Sequence, residues 1–144
     1  MAEQDLRDLV ASSRRGAIVA LKRDGRPQLS NVVYAFDPDQ GSQGLLRFST
    51  RAGSAKVANL RRDPRVSVYV TGADFRAYAV AEGTAEVSEV SAAPDDATVE
   101  ELVDVYRRIA GEHPDWDDYR AAMVAERRVV VRIDVDRYYG AAGW

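Results

Sequence analysis

The stretch Ser49-Thr50-Arg51-Ala52-Gly53-Ser54-Ala55-Lys56, continued by Asn59, Arg61 and Arg62, gathers hydroxyls, a glycine and cations into a few turns of chain. Just after a strand and at the start of a helix, it would present exposed N–H groups beside Lys and Arg. Both suit phosphate oxygens in geometry and in charge. The competing reading is a solvated strand-to-helix joint. Neither a G-x-G-x-x-G nor a Walker glycine pattern is present, which disfavours nucleotide binding of those kinds. Gln28, Ser30 and Tyr34 alternate on one strand face, opposite Leu29, Asn31 and Val33. Inside a barrel mouth that polar face would meet a heteroaromatic ring through amide and hydroxyl contacts; on an edge strand it would simply be wet. Tyr78 and Arg128 carry the same ambiguity. His113, in Gly-Glu-His-Pro, reads as a surface or capping histidine, and Asp115, Asp117 and Asp118 as helix-start electrostatics. With no distinguishable nucleophile and base, hydrolysis has little positive support. Chemistry carried by a bound cofactor stays open, because it asks the protein mainly for orientation and electrostatics.

Composition narrows the classes further. The 144 residues include no cysteine, which excludes disulfides, a thiol nucleophile and thiolate metal sites, and one histidine, which excludes clustered histidine sites. Residues 1–65 carry 12 basic and 7 acidic side chains, residues 66–144 carry 8 and 16, and the net charge is −3. Nucleic acid is therefore not an expected partner, while the first half has the charge for a local anion site. Lys22 and Lys56 are the only lysines among 20 basic residues, so an arginine by itself carries little weight. The N-terminus lacks an apolar signal core and no 18-residue apolar run is present; a cytoplasmic protein without a membrane partner is expected.

These side chains need a scaffold. Residues 3–13 read as a short helix with Leu6, Leu9 and Val10 on one face, and Gly16 opens a strand through Lys22. Arg23-Asp24-Gly25-Arg26 reads as a tight hairpin, followed by a return strand from Gln28 to Phe36 and a strand from Leu45 to Thr50, together an antiparallel meander. Gly53 to Arg62 reads as a helix with Ser54 as its cap, stopped by Asp63-Pro64. Val66, Val68 and Val70 alternate with Ser67, Tyr69 and Thr71 as a two-faced strand. Phe75 to Val87 reads as another strand, bulged at Gly83. Pro94-Asp95-Asp96 opens a helix with an apolar stripe of Val99, Leu102, Val103, Tyr106, Ile109 and Ala110, ended by Gly111. A second helix runs from Asp115 to Ala125, and a last strand from Arg128 to Val135. About six strands with helices inserted late, near 95–126, imply one mainly β domain over 1–144, a small barrel with peripheral helices.

Five blocks then carry a family likeness. Gly25-Arg26-Pro27-Gln28-Leu29-Ser30-Asn31-Val32 and Ala55-Lys56-Val57-Ala58-Asn59-Leu60-Arg61-Arg62-Asp63-Pro64-Arg65 resemble the pyridoxamine-phosphate-oxidase-like flavin/deazaflavin family. Tyr78 to Ala85, Ala110 to Arg120 and Arg127-Arg128-Val129-Val130 resemble its actinobacterial branch that uses coenzyme F420. The likeness runs in order over about residues 5–140. It implies a split β-barrel homodimer with cofactor grooves at the subunit interface, in which reduced deazaflavin donates hydride to an unsaturated small-molecule acceptor. Biliverdin-like tetrapyrroles, quinones and conjugated lactones are the acceptor classes of that branch.

By the same resemblance, Lys56 matches the cofactor-phosphate lysine and Asn59 a nearby polar contact. Gln28, Ser30 and Asn31 match the polar strand along the groove, Ser49 and Thr50 the strand end near it. Tyr78 matches a ring or tail contact and Arg128 a basic one. Many relatives place an arginine two residues before the lysine, where this chain has Ser54; Arg51 is the candidate to supply that charge. FMN is the alternative cofactor, with FMN-dependent oxidase or reductase activity, and a non-catalytic carrier of F420 is the alternative role.

Overall fold

A computed structural model describes residues 2–142. Helix α1 (Glu3–Ser12) leads into strands β1 (Arg15–Leu21), β2 (Pro27–Val33), β3 (Ala35–Asp37) and β4 (Leu45–Arg51). Helix α2 (Ala55–Arg62) precedes β5 (Arg65–Thr71) and β6 (Ala77–Val87), and helices α3 (Ala97–Ala110) and α4 (Trp116–Ala125) precede β7 (Arg128–Ala142). All pairings are antiparallel, in the order β2-β1-β5-β6-β7-β4-β3. The two edge strands are neighbours in sequence. β2 ends at Val33 and β3 starts at Ala35, so a single residue, Tyr34, crosses from one edge of the sheet to the other. That is geometrically possible only if the sheet curls back on itself, and the result is a barrel split at the β2/β3 seam.

The hairpin at Asp24-Gly25 forms because Gly25 takes a φ of +86° and the Asp24 carboxylate accepts from Arg26 N at 3.0 Å. The bulge falls at Gly83, as its sequence position predicts. The β6/β7 register shifts there, and a Cβ on Gly83 would lie 2.1 Å from the Asp134 carbonyl oxygen. Inside the barrel, Ile18, Leu46, Phe48, Val66, Val68 and Val70 pack against Val131, Ile133 and Val135, and α1 adds Leu6 and Val10. A second core joins α3 and α4 to the outside of β7 through Val99, Leu102, Val103, Tyr119, Met123 and Val130. β7 is therefore apolar on both faces, which explains its unbroken Val129-Val130-Val131 run.

Four expectations need correction. The return strand from Gln28 to Phe36 is two strands, because Tyr34 leaves the ladder, buries its ring in the barrel core and donates its hydroxyl to Val10 O at 2.7 Å. Tyr34 thus belongs to the core, not to a polar groove. The early strands do not form one meander: β4 pairs with β7 and β3, never with β2. The last strand continues past Val135 to Ala142, where Tyr138 packs its ring inward. In α3, Ala110 is exposed and Val105 takes the buried place instead.

Candidate functional site

Strand β4 and helix α2 meet at a tight joint. Alternation along β4 turns Thr50 into the barrel end, where it is 6% exposed, and leaves Arg51 outside. Ala52 and Gly53 turn the chain, and Ser54 caps α2, its Oγ accepting from Val57 N at 3.4 Å. Thr50 Oγ1 donates to Ser54 Oγ at 3.4 Å, and Lys56 Nζ donates to Thr50 Oγ1 at 3.4 Å. These contacts are longer than a good hydrogen bond, so the ammonium and hydroxyl retain donor capacity for a stronger acceptor.

The start of β7 closes the joint from the other side. Ala52 N donates to Arg127 O at 2.9 Å, and Arg128 stands directly opposite Arg51 in the β4/β7 register. Burial, then the positive charge of Arg128, lowers the Lys56 pKa below its ordinary value. Lys56 thus stands beside the Thr50 hydroxyl and the capped α2 N-terminus with a second cation, Arg128, close by, which suits an oxyanion such as phosphate. Glu126 stands at the rim: its Oε1 accepts from Arg128 Nη2 at 2.8 Å, Arg128 Nε at 3.1 Å and Arg51 Nη2 at 3.2 Å.

At the far end of α2, Asn59 Nδ2 donates to Gln28 Oε1 at 3.4 Å and Asn59 Oδ1 accepts from Arg62 at 3.0 Å. Ser30, two residues along β2 on the face of Gln28, has a buried Oγ with no hydrogen-bond partner among the described residues. A buried hydroxyl left unpaired is costly unless something else satisfies it.

The anticipated residues therefore fall into groups. Thr50, Ser54, Lys56 and Arg128 are brought together, with Arg51 at their edge; Gln28, Asn59 and Ser30 lie along α2 and β2. Asn31 is on the opposite, outer face of β2, beside a hollow of about 430 Å³ that Arg15, Ala17, Val33, Tyr69 and Thr71 also line. Tyr78 is on that outer face too, its ring stacked on Tyr69 with centroids 5.7 Å apart. Ser49 shares the β4 face of Arg47 and pairs with Val130, away from Lys56. Arg61 turns elsewhere, to Ser88 O, while Arg62 bridges Asn59 and Leu21 O. His113 is a local capping group, its Nδ1 accepting from Asp115 N at 2.9 Å.

Two residues were missed by sequence reading. Glu126 had a signal, since it precedes Arg128 by two positions, but a lone carboxylate among 23 acidic side chains gives no hint of its reach to Arg51. Tyr69 was legible as the aromatic member of the outward Ser67/Tyr69/Thr71 face, yet nothing local announced its contact with Tyr78.

Known proteins share this arrangement of chain. The pyridoxamine 5'-phosphate oxidase family model matches residues 2–141. A conserved hypothetical protein from Mycobacterium tuberculosis is 30% identical, with 99% of this chain and 85% of that one covered and a TM-score of 0.71. A protein described as an F420 reductase is 22% identical over 92% of this chain and 94% of its own, TM-score 0.63. An FAD-binding protein from Mesorhizobium loti is 18% identical over 97% and 94%, TM-score 0.67. At these lower identities the likeness is one of fold. The family match over nearly the whole chain, on a barrel split at the seam that this topology requires, makes the chain a member of the pyridoxamine 5'-phosphate oxidase-like split-barrel family.

Proposed function

We propose that the protein is a reductase that uses reduced coenzyme F420 to reduce an unsaturated small-molecule acceptor such as a tetrapyrrole, quinone or conjugated lactone. The observation that carries this reading is the placing of Lys56 on Thr50 at the capped start of α2, with the charge of Arg128 close enough to disfavour its ammonium. A phosphate at that point would take the ammonium, the Thr50 hydroxyl and the remaining donors of Arg128. The unpartnered Ser30 Oγ, with Gln28 and Asn59 along the same groove, suits the polar edge of a heteroaromatic ring. The residues present thus fit a phosphorylated flavin or deazaflavin. When bound, the reduced deazaflavin supplies hydride. The chain's own work is to anchor the phosphate and to orient the ring against the acceptor. Solvent delivers the final proton, so no side chain need act as an acid.

A second copy of the chain would supply the other wall. Leu29 at 60% exposure, Val33 at 49% and Tyr139 at 45% share the outer sheet face with Tyr69, Tyr78 and Asn31. An apolar, aromatic face of this kind supports a homodimer in which Asn31 and Tyr78 reach a ligand held by the neighbouring Lys56.

Titration of F420 and FMN against the protein at matched salt tests the cofactor, with saturable and tighter F420 binding expected; tighter FMN binding without an F420 signal overturns it in favour of FMN chemistry. Anaerobic oxidation of the reduced deazaflavin by quinones, biliverdin and conjugated lactones, with deuterium followed from donor carbon to product, tests catalysis. Binding without turnover across those acceptors would leave a cofactor carrier.

A further inference from the structure

Arg51 and Arg128 face each other across β4 and β7, a pairing of like charges that costs stability unless something stands between them. Glu126 stands there. Its placement is set by backbone: it ends α4 at φ −86° and ψ 0°, and Arg127 follows at φ +51° to turn the chain into β7. Three N–H groups from the two arginines converge on the single oxygen Glu126 Oε1. Two of them, Nε and Nη2 of Arg128, form the fork that an arginine ordinarily offers a phosphate. Arg51 is 64% exposed and spends its contact on the same carboxylate. The expectation that Arg51 makes up for Ser54 therefore meets a competing anion already in place. What is left for a ligand is the Lys56 ammonium, the Thr50 hydroxyl and the unshared donors of Arg128.

We infer that Glu126 is the specificity-determining residue of this anion cup: by holding Arg51 and the Arg128 fork, it favours a singly charged phosphodiester over a doubly charged phosphomonoester. The inference rests on the cofactor reading above and sharpens it. FMN ends in a phosphomonoester that carries close to two charges near neutral pH, whereas the phosphate of F420 is a diester with one. A fixed carboxylate beside a bound phosphate would repel each ligand charge separately, so the second charge is penalised again. Across about 6 Å of water-like surroundings, that repulsion amounts to a factor of about three per ligand charge.

The test uses one deazaflavin ring in three forms: without phosphate, as its methyl phosphodiester, and as its phosphomonoester. Affinities are measured by fluorescence titration at fixed salt. In Glu126→Gln, which keeps an acceptor for the arginines, the monoester is expected to bind about tenfold tighter and the diester about threefold tighter. The phosphate-free ring should be unchanged. Arg51→Gln leaves the Glu126 charge less neutralised and should move the monoester/diester ratio the opposite way. Glu126→Asp keeps the charge and should keep the wild-type ratio; a purely structural role would instead disturb all three ligands alike. Wild type that ignores all three ligands overturns the cofactor reading together with this one. Wild type that binds them, with a monoester/diester ratio untouched by both Glu126→Gln and Arg51→Gln, overturns only the assignment to Glu126.

Discussion

Lys56 is held short of its best partner. Its contact with Thr50 Oγ1 is 3.4 Å, and burial together with Arg128 disfavours its charged form. A bound phosphate reverses both effects, because it returns a hydrogen-bond acceptor and a negative charge to the ammonium. Replacing Lys56 with Ala should therefore weaken binding of the phosphorylated cofactor by about 1.5–3 kcal/mol. Lys22, the other lysine, follows the end of β1 in the Asp24-Gly25 hairpin, and Lys22→Ala should leave binding unchanged. Isothermal titration of both variants against wild type checks this. Equal affinities for wild type and Lys56→Ala, with folding intact, would remove Lys56 from the site.

Among the elements, the α3/α4 hairpin depends on a few charges as well as on its apolar stripe. Arg47 lies on the outer face of β4, only 8% exposed, and reaches Glu101 at 3.4 Å and Asp104 at 2.7 Å on α3. Arg132 of β7 meets Glu101 from the other side at 2.8 Å. One carboxylate thus serves two arginines beneath the helix, and its removal would leave Arg47 buried with a single partner. Glu101→Ala should destabilise the fold by about 3 kcal/mol, read as a lower urea midpoint at unchanged slope. Arg47→Met should cost less, because Glu101 keeps Arg132 and the space stays filled. A Glu101→Ala midpoint equal to wild type would mean that the apolar stripe alone docks the hairpin.

For the whole molecule, three phenols tie separate parts of the chain together. Tyr34 donates to Val10 O at 2.7 Å, Tyr119 to Leu102 O at 3.0 Å and Tyr138 to Gln43 O at 2.6 Å, joining barrel to α1, α4 to α3, and β7 to the loop before β4. Burial pushes each of them up to about 12 from 10.0. A phenol whose pKa rises on folding adds stability that is fully present below pH 10 and is lost as pH climbs through about 12. Thermal stability should accordingly fall over that interval, with three of the seven tyrosines ionising late in tyrosinate absorbance. Ionisation of all seven near pH 10 without loss of structure would contradict the burial of these hydroxyls. The apolar outer face makes a second prediction at this scale: light scattering should give about twice the 15.9 kDa chain mass, and Leu29→Glu should shift the protein towards monomer. A monomeric wild type that still binds cofactor stoichiometrically would rule out a shared site.

Much of this was legible along the chain because its causes are local. The Asp24-Gly25 turn, the Ser54, Asp96 and Asp115 caps, the Val66/Val68/Val70 alternation and the bulge at Gly83 each depend on neighbouring residues and on backbone sterics. The clustering of Thr50, Ser54 and Lys56 is of the same kind, since a strand end and a helix start lie within a few residues of each other. Strand order is not local. Tyr34 looked like one more member of an alternating strand, and only curling of the sheet shows that it bridges the two edges and buries its ring between them. Likewise, which face of β2 or β6 turns inward places Asn31 and Tyr78 outside and Ser30 inside, a choice made by packing against distant strands. The meeting of Arg51 with Glu126 spans 75 positions of sequence. Local chemistry dictated which groups the joint could offer; tertiary packing alone decided which charges they would face, because electrostatic partners are set by distance in space and not along the chain.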